Sequence, residues 1–209
     1  NKKKEIAVRS GVQHFLLVMV AVLLVHATAA ISGPTLGGPA PNLKEAVWIK
    51  GGPLPEFEPG RIYVVDLWST WCKPCLKSMP ALHKLESQYK DKVTFIALSI
   101  WDPEKPQVVE FVEKHGETMP GLIATDLVPP GKEFNEGILA ARYLGTTERV
   151  SVPRTFIVDR TGNLVWIGLP WDLEVPLEQV VNGTWDWSEF AASWENDLAP
   201  KASENSDAN

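Results

Sequence analysis

The chain has little cysteine: two residues in 209. Two thiols cannot staple a disulfide-rich mini-protein or fill a four-cysteine zinc site. Histidine is scarce too, with four. There is no basic block. Lys and Arg number 20 against 26 Asp and Glu, a net charge of −6, which argues against nucleic acid as the main partner. The uninterrupted apolar run at residues 15–25 is eleven long, where a bilayer-spanning helix needs about 20. No internal repeat is visible. What is present is a hydrophobic content of 44%, enough for a real core, in a length that suits one domain with tails.

The first thirty residues read as an address. Lys2, Lys3, Lys4 and Arg9 precede the apolar run, and Ala27-Thr28-Ala29 follows it as a small-residue cleavage site. The expectation is a signal peptide over 1–29, with an uncleaved anchor as its alternative. Either places the remainder outside the cytoplasm. No cysteine lies near the cut, which excludes a lipid anchor there. Removing this segment leaves 16 basic against 25 acidic residues, a net −9. Residues 30–44, rich in Pro and Gly, read as a linker, 45–187 as the compact domain, and 188–209 as a tail whose distal part is disordered.

Inside the domain the apolar period changes in order. Residues 62–68 (IYVVDLW) and 93–100 (VTFIALSI) read as strands buried on both faces. Between them, Leu76, Met79, Leu82, Leu85 and Tyr89 mark a helix from Cys72, with a kink expected at Pro80. Asp102-Pro103 is read as the start of the next helix. Residues 47–49 and 121–126 read as short strands, 128–137 as a loop of unreadable role, and 138–144 as a short helix. Residues 155–158 and 164–167 form a hairpin, and Asp172 caps a last helix.

Both cysteines lie in Trp71-Cys72-Lys73-Pro74-Cys75, where a buried strand turns into a helix. Two thiols separated by two residues in a first helical turn can close a disulfide without moving the backbone. Cys72 falls where free N–H groups and the helix dipole favour a thiolate, the nucleophilic form. Cys75, one turn in, is expected to be more buried. The cycle that follows is attack by Cys72 on a substrate disulfide, a mixed disulfide, and its resolution by Cys75. Asp66, in the middle of the apolar strand, is a candidate buried acid that takes a proton from Cys75. Val152-Pro153, just before a strand, is a candidate cis pair that presents Val152's backbone to a substrate chain. Trp68 reads as core and Trp71 as exposed toward substrate.

Together these residues resemble the thioredoxin superfamily. The matching pieces are the apolar strand with Asp66, LWSTWCKPC, Pro80, and VPRTFIVD. The spacing between CxxC and Val-Pro, and the lead-in EPGRIYVVDLW, resemble its secreted TlpA/ResA-like branch. The resemblance implies an α/β, thioredoxin-like fold: a central mixed β-sheet with helices on both faces. It implies Cys72 as nucleophile, Cys75 as resolving thiol, Asp66 as buried acid and Pro153 as cis-proline. The substrate-facing set is then Trp71, Lys73, Pro74, Val152, Pro153 and Arg154. Lys73 and Arg154 depart from the small residues common at those places. Lys73 favours the Cys72 thiolate, and Arg154 brings positive charge to the groove, which opens it to acidic substrates. The implied protein is a monomeric extracytoplasmic thiol–disulfide oxidoreductase with no cofactor beyond its own disulfide and no metal. It reduces protein disulfides, with a membrane-bound electron donor. A disulfide oxidant or isomerase, a peroxidase, and a binding module without catalysis are the alternatives.

Overall fold

The computed structural model describes residues 33–145 and 151–198. The expected signal segment, 1–29, lies outside the described residues. Six strands form one sheet: β1 (Val47–Lys50), β2 (Ile62–Trp68), β3 (Val93–Ser99), β4 (Leu122–Thr125), β5 (Arg154–Val158) and β6 (Leu164–Gly168). Their order is β1-β4-β3-β2-β5-β6. β2, β3 and β4 run parallel, while β1, β5 and β6 pair antiparallel to their neighbours. The mixed sheet is the expected one.

β2 lies at the centre, between β3 and β5, and all seven of its residues are buried. A central strand covered on both faces has no use for alternation, which explains the continuous apolar run. Tyr63, Val65 and Leu67 enter one core with Phe156 and with Leu139, Ala140 and Tyr143 of helix α3 (Ile138–Leu144). Ile62 and Val64 face the other way. They pack with Leu82 and Leu85 of α1 (Lys73–Tyr89) and with Leu177 and Val180 of α4 (Glu174–Asn182). Trp68, on that same face, packs with Cys72, Cys75 and Met79, and with Val108 and Val112 of α2 (Lys105–His115). Helices therefore cover both faces of the sheet.

Several boundaries differ from the sequence reading. α1 is continuous through Pro80, which sits on its exposed side. α2 begins at Lys105 with Glu104 as N-cap, because the Asp102 carboxylate is engaged elsewhere. The segment read as a linker is packed: Leu43 is 1% exposed, and Gly37, Gly38 and Ala40 exchange backbone hydrogen bonds with Gly162 and Leu164 of the β5–β6 hairpin. Asp172 lies in a short 3-10 turn (Pro170–Asp172), and Leu173 is the N-cap of α4. The region read as a tail starts with a further helix, α5 (Trp187–Leu198). Phe190 on α5 stacks on Trp166 of β6, and Trp185 just before it donates its indole N–H to Val165 O. Asp186 caps the helix, its Oδ1 accepting the Ser188 and Glu189 N–H groups, and aromatic burial fastens the segment to the sheet. Among the described residues, no helix is long and apolar enough to cross a membrane.

Candidate redox-active site

The C-terminal ends of β2 and β3 and the first turn of α1 meet at one end of the sheet. β2 ends at Trp68, and Ser69, Thr70 and Trp71 make the turn into α1. Cys72 is the N-cap of α1, in extended conformation, and its Sγ accepts the backbone N–H of Cys75 at 3.2 Å. A sulfur at an N-cap receives one of the helix's unpaired donors directly, which favours its anionic form. Cys72 and Cys75 are joined in a disulfide, with Cα atoms 5.3 Å apart. Cys75 is fully buried. Cys72 is nearly so, at 3%, so the expected contrast between the two is small in this oxidised state.

Asp66 is 1% exposed, on the face of β2 that α1 covers. Its Oδ1 accepts the hydroxyl of Thr155 on β5 at 2.6 Å, and its Oδ2 has no hydrogen-bond partner. Burial pushes its pKa from 3.8 up to about 7, with the Thr155 hydrogen bond pulling weakly the other way. A carboxyl group that titrates near neutrality on the sheet face that α1 covers can take up and return a proton.

Val152-Pro153 is a cis peptide unit, and Pro153 is buried at the start of β5. Val152, half-buried, packs with the cluster that holds both cysteines. Trp71 is 55% exposed, and Lys73 and Pro74 are exposed beside it. β5 turns Thr155 toward Asp66 and therefore Arg154 to the opposite face, where its guanidinium lies 5.9 Å from the Trp194 ring of α5. Partial burial lowers its pKa. The 128–137 loop stays irregular and leads into α3. There, Asp126 accepts the N–H groups of Leu139 and Ala140, each at 2.8 Å.

Sequence reasoning missed two groups here. Thr155 reads as an ordinary strand residue, and only the β2–β5 register, Asp66 opposite Thr155, brings it to Asp66. Asp102, read as a helix start, instead binds the turn before Cys72.

The sequence pattern of the Redoxin family matches residues 53–180. The chain belongs to the redoxin family. Among its curated relatives, this redoxin is 32% identical over 161 residues to protein FixW of Rhizobium leguminosarum, covering 74% of the chain and 69% of FixW. It is 30% identical over 106 residues to the thiol-disulfide oxidoreductase ResA of Geobacillus kaustophilus. That match covers 50% of the chain and 52% of ResA, so the chain spans about half of such relatives. Among solved structures, it overlays on a thiol-disulfide isomerase from Corynebacterium glutamicum with a TM-score of 0.55. At 18% identity, with 68% of this chain and 96% of that one covered, this match shows the thioredoxin-like fold alone. The family match and the sequence relatives make this chain a redoxin of TlpA/ResA-like type.

Proposed function

We propose that this redoxin reduces protein disulfides outside the cytoplasm. Cys72 thiolate attacks one sulfur of a substrate disulfide, forms a mixed disulfide and releases the first substrate thiolate. Cys75 gives its proton to Asp66 and attacks Cys72 Sγ. The Cys72–Cys75 disulfide closes, the second substrate thiolate leaves, and two electrons have passed to the substrate. A separate dithiol, assigned by resemblance to a membrane-bound donor, resets the pair. The observation that carries this reading is the buried Asp66, with one free carboxylate oxygen and a pKa of about 7, under the helix that bears Cys75. Trp71, Lys73, Pro74 and Val152-Pro153 form the substrate-facing rim. Arg154, the residue after Pro153, lies against Trp194 beside that rim.

The extracytoplasmic location rests on the basic and apolar pattern of residues 1–29. The acidic composition fits a soluble, monomeric partner for basic or neutral chains. The test is a redox titration of the protein from residue 31 onward in defined thiol buffers. A potential near about −270 mV supports a reductant, and one near about −120 mV makes it a disulfide donor. Cys75→Ala should accumulate the mixed disulfide, and Cys72→Ser should abolish turnover. A Cys72→Ser protein with full activity would overturn the mechanism.

A further inference from the structure

The turn before Cys72 is tied to the end of β3 by a set of hydrogen bonds that the dithiol chemistry does not require. Asp102 Oδ1 accepts the Thr70 N–H at 3.0 Å and the Thr70 hydroxyl at 2.5 Å, while its Oδ2 accepts the Ser99 hydroxyl. The Ser69 hydroxyl donates to Ile100 O at 2.5 Å, and Ile100 N–H to Trp68 O at 2.9 Å. Trp71 donates its indole N–H to Trp101 O at 3.0 Å. Trp101 itself has φ 58°, the left-handed region that a bulky residue avoids. A residue stays there only when its surroundings over-determine it. Here the left-handed turn aims one carbonyl at Trp71 and brings the next side chain, Asp102, back to Thr70.

An indole that is 55% exposed on a turn would normally change rotamer freely. This one is pinned, directly next to Cys72. Rigid aromatic surface gives contact area at low entropic cost on binding. We infer that residues 99–102 are a clamp, with Asp102 as its positioning residue, that holds Trp71 as a fixed aromatic face for a polypeptide segment carrying apolar or aromatic side chains beside its disulfide. The inference rests on the proposed reduction of protein disulfides and names the kind of substrate that the site prefers. A small disulfide with no apolar flank gains nothing from the clamp.

The experiment compares reduction of insulin with that of glutathione disulfide by the wild type and by Trp71→Ala, Asp102→Ala, Asp102→Asn and the Trp71→Ala/Asp102→Ala double variant. An interface side chain that must be ordered on binding costs roughly two- to tenfold in affinity. Asp102→Ala should therefore raise KM for insulin by up to about tenfold, with kcat less affected. Asparagine accepts from Thr70 and donates to Ser99, so Asp102→Asn should recover to within about threefold. The double variant should bind insulin no worse than Trp71→Ala alone, because Asp102 acts through Trp71. Additive losses, no effect of Asp102→Ala, or an equal loss with glutathione disulfide would each overturn the clamp. If Asp102→Ala fails to fold, Thr70→Val, which keeps the backbone N–H contact, takes its place in the same comparison. A wild type that reduces neither disulfide refutes the proposed function instead; a competent wild type without the coupling refutes the clamp alone.

Discussion

Replacing Asp66 by Asn tests the buried acid through stability, independently of any substrate. In the folded protein the carboxyl titrates at about 7, against 3.8 ordinarily. Between those values the folded state holds a proton that the unfolded chain has released. Stability is therefore fully present below the ordinary value, falls as pH rises through this window, and levels off above about 7. At about 1.36 kcal/mol per pH unit, a window of this width corresponds to a loss of about 4 kcal/mol. Asn removes that dependence but carries its own cost. Its amide nitrogen, in place of the partnerless Oδ2, brings two unpaired donors where the protonated carboxyl has one, and an extra unpaired buried donor costs about 1–3 kcal/mol. The variant should thus be less stable than the wild type in acid and more stable above neutrality, with the difference changing sign on the way. Urea unfolding of both oxidised proteins, at steps from about pH 4 to about pH 8.5, measures this difference directly. A difference that stays constant over that range would refute both the burial of the charge and the proton-acceptor role.

The same substitution should slow the resolution of a trapped mixed disulfide and flatten its rate profile. In the wild type the rate should climb as Asp66 ionises through about pH 7, followed by stopped-flow release of a labelled thiol. Leu43→Ala should destabilise the fold by about 2–5 kcal/mol in chemical denaturation, as a core position does and a linker does not. Gly137→Ala would drive a Cβ into Asp126 Oδ2 and break the cap on α3. A lost cap costs about 0.5–2 kcal/mol, read as a lowered melting temperature with the redox potential unchanged.

The parts of the site that were legible in the sequence share one property: neighbours along the chain make them. Cys72 and Cys75 close a disulfide because one helical turn brings them together. Cys72 falls at the helix start because a buried strand ends a few residues earlier. Asp66 could be read as buried because every residue around it is apolar. Helix and strand periods located α1, β2, β3, α3 and the β5–β6 hairpin within a few residues. The boundaries that failed were those set by distant partners. The Pro- and Gly-rich stretch through Leu43 carries no helical or strand period, yet it hydrogen-bonds to the 162–164 hairpin turn. α5 carries a start signal in Asp186, but what it packs against, Trp166 and Val165 on β6, lies far off in the chain.

The sequence by itself determined the chemistry, since a dithiol at a helix N-terminus and a carboxyl group in an apolar strand are local facts of composition and spacing. Tertiary structure decided what those groups face. Thr155 meets Asp66 across a strand register that joins positions 89 residues apart, and the same register turns Arg154 away to Trp194. Asp102 reaches Thr70 across 32 residues because parallel β2 and β3 end at the same level. Pairing register depends on the whole sheet closing around β2, and no local window of residues contains it.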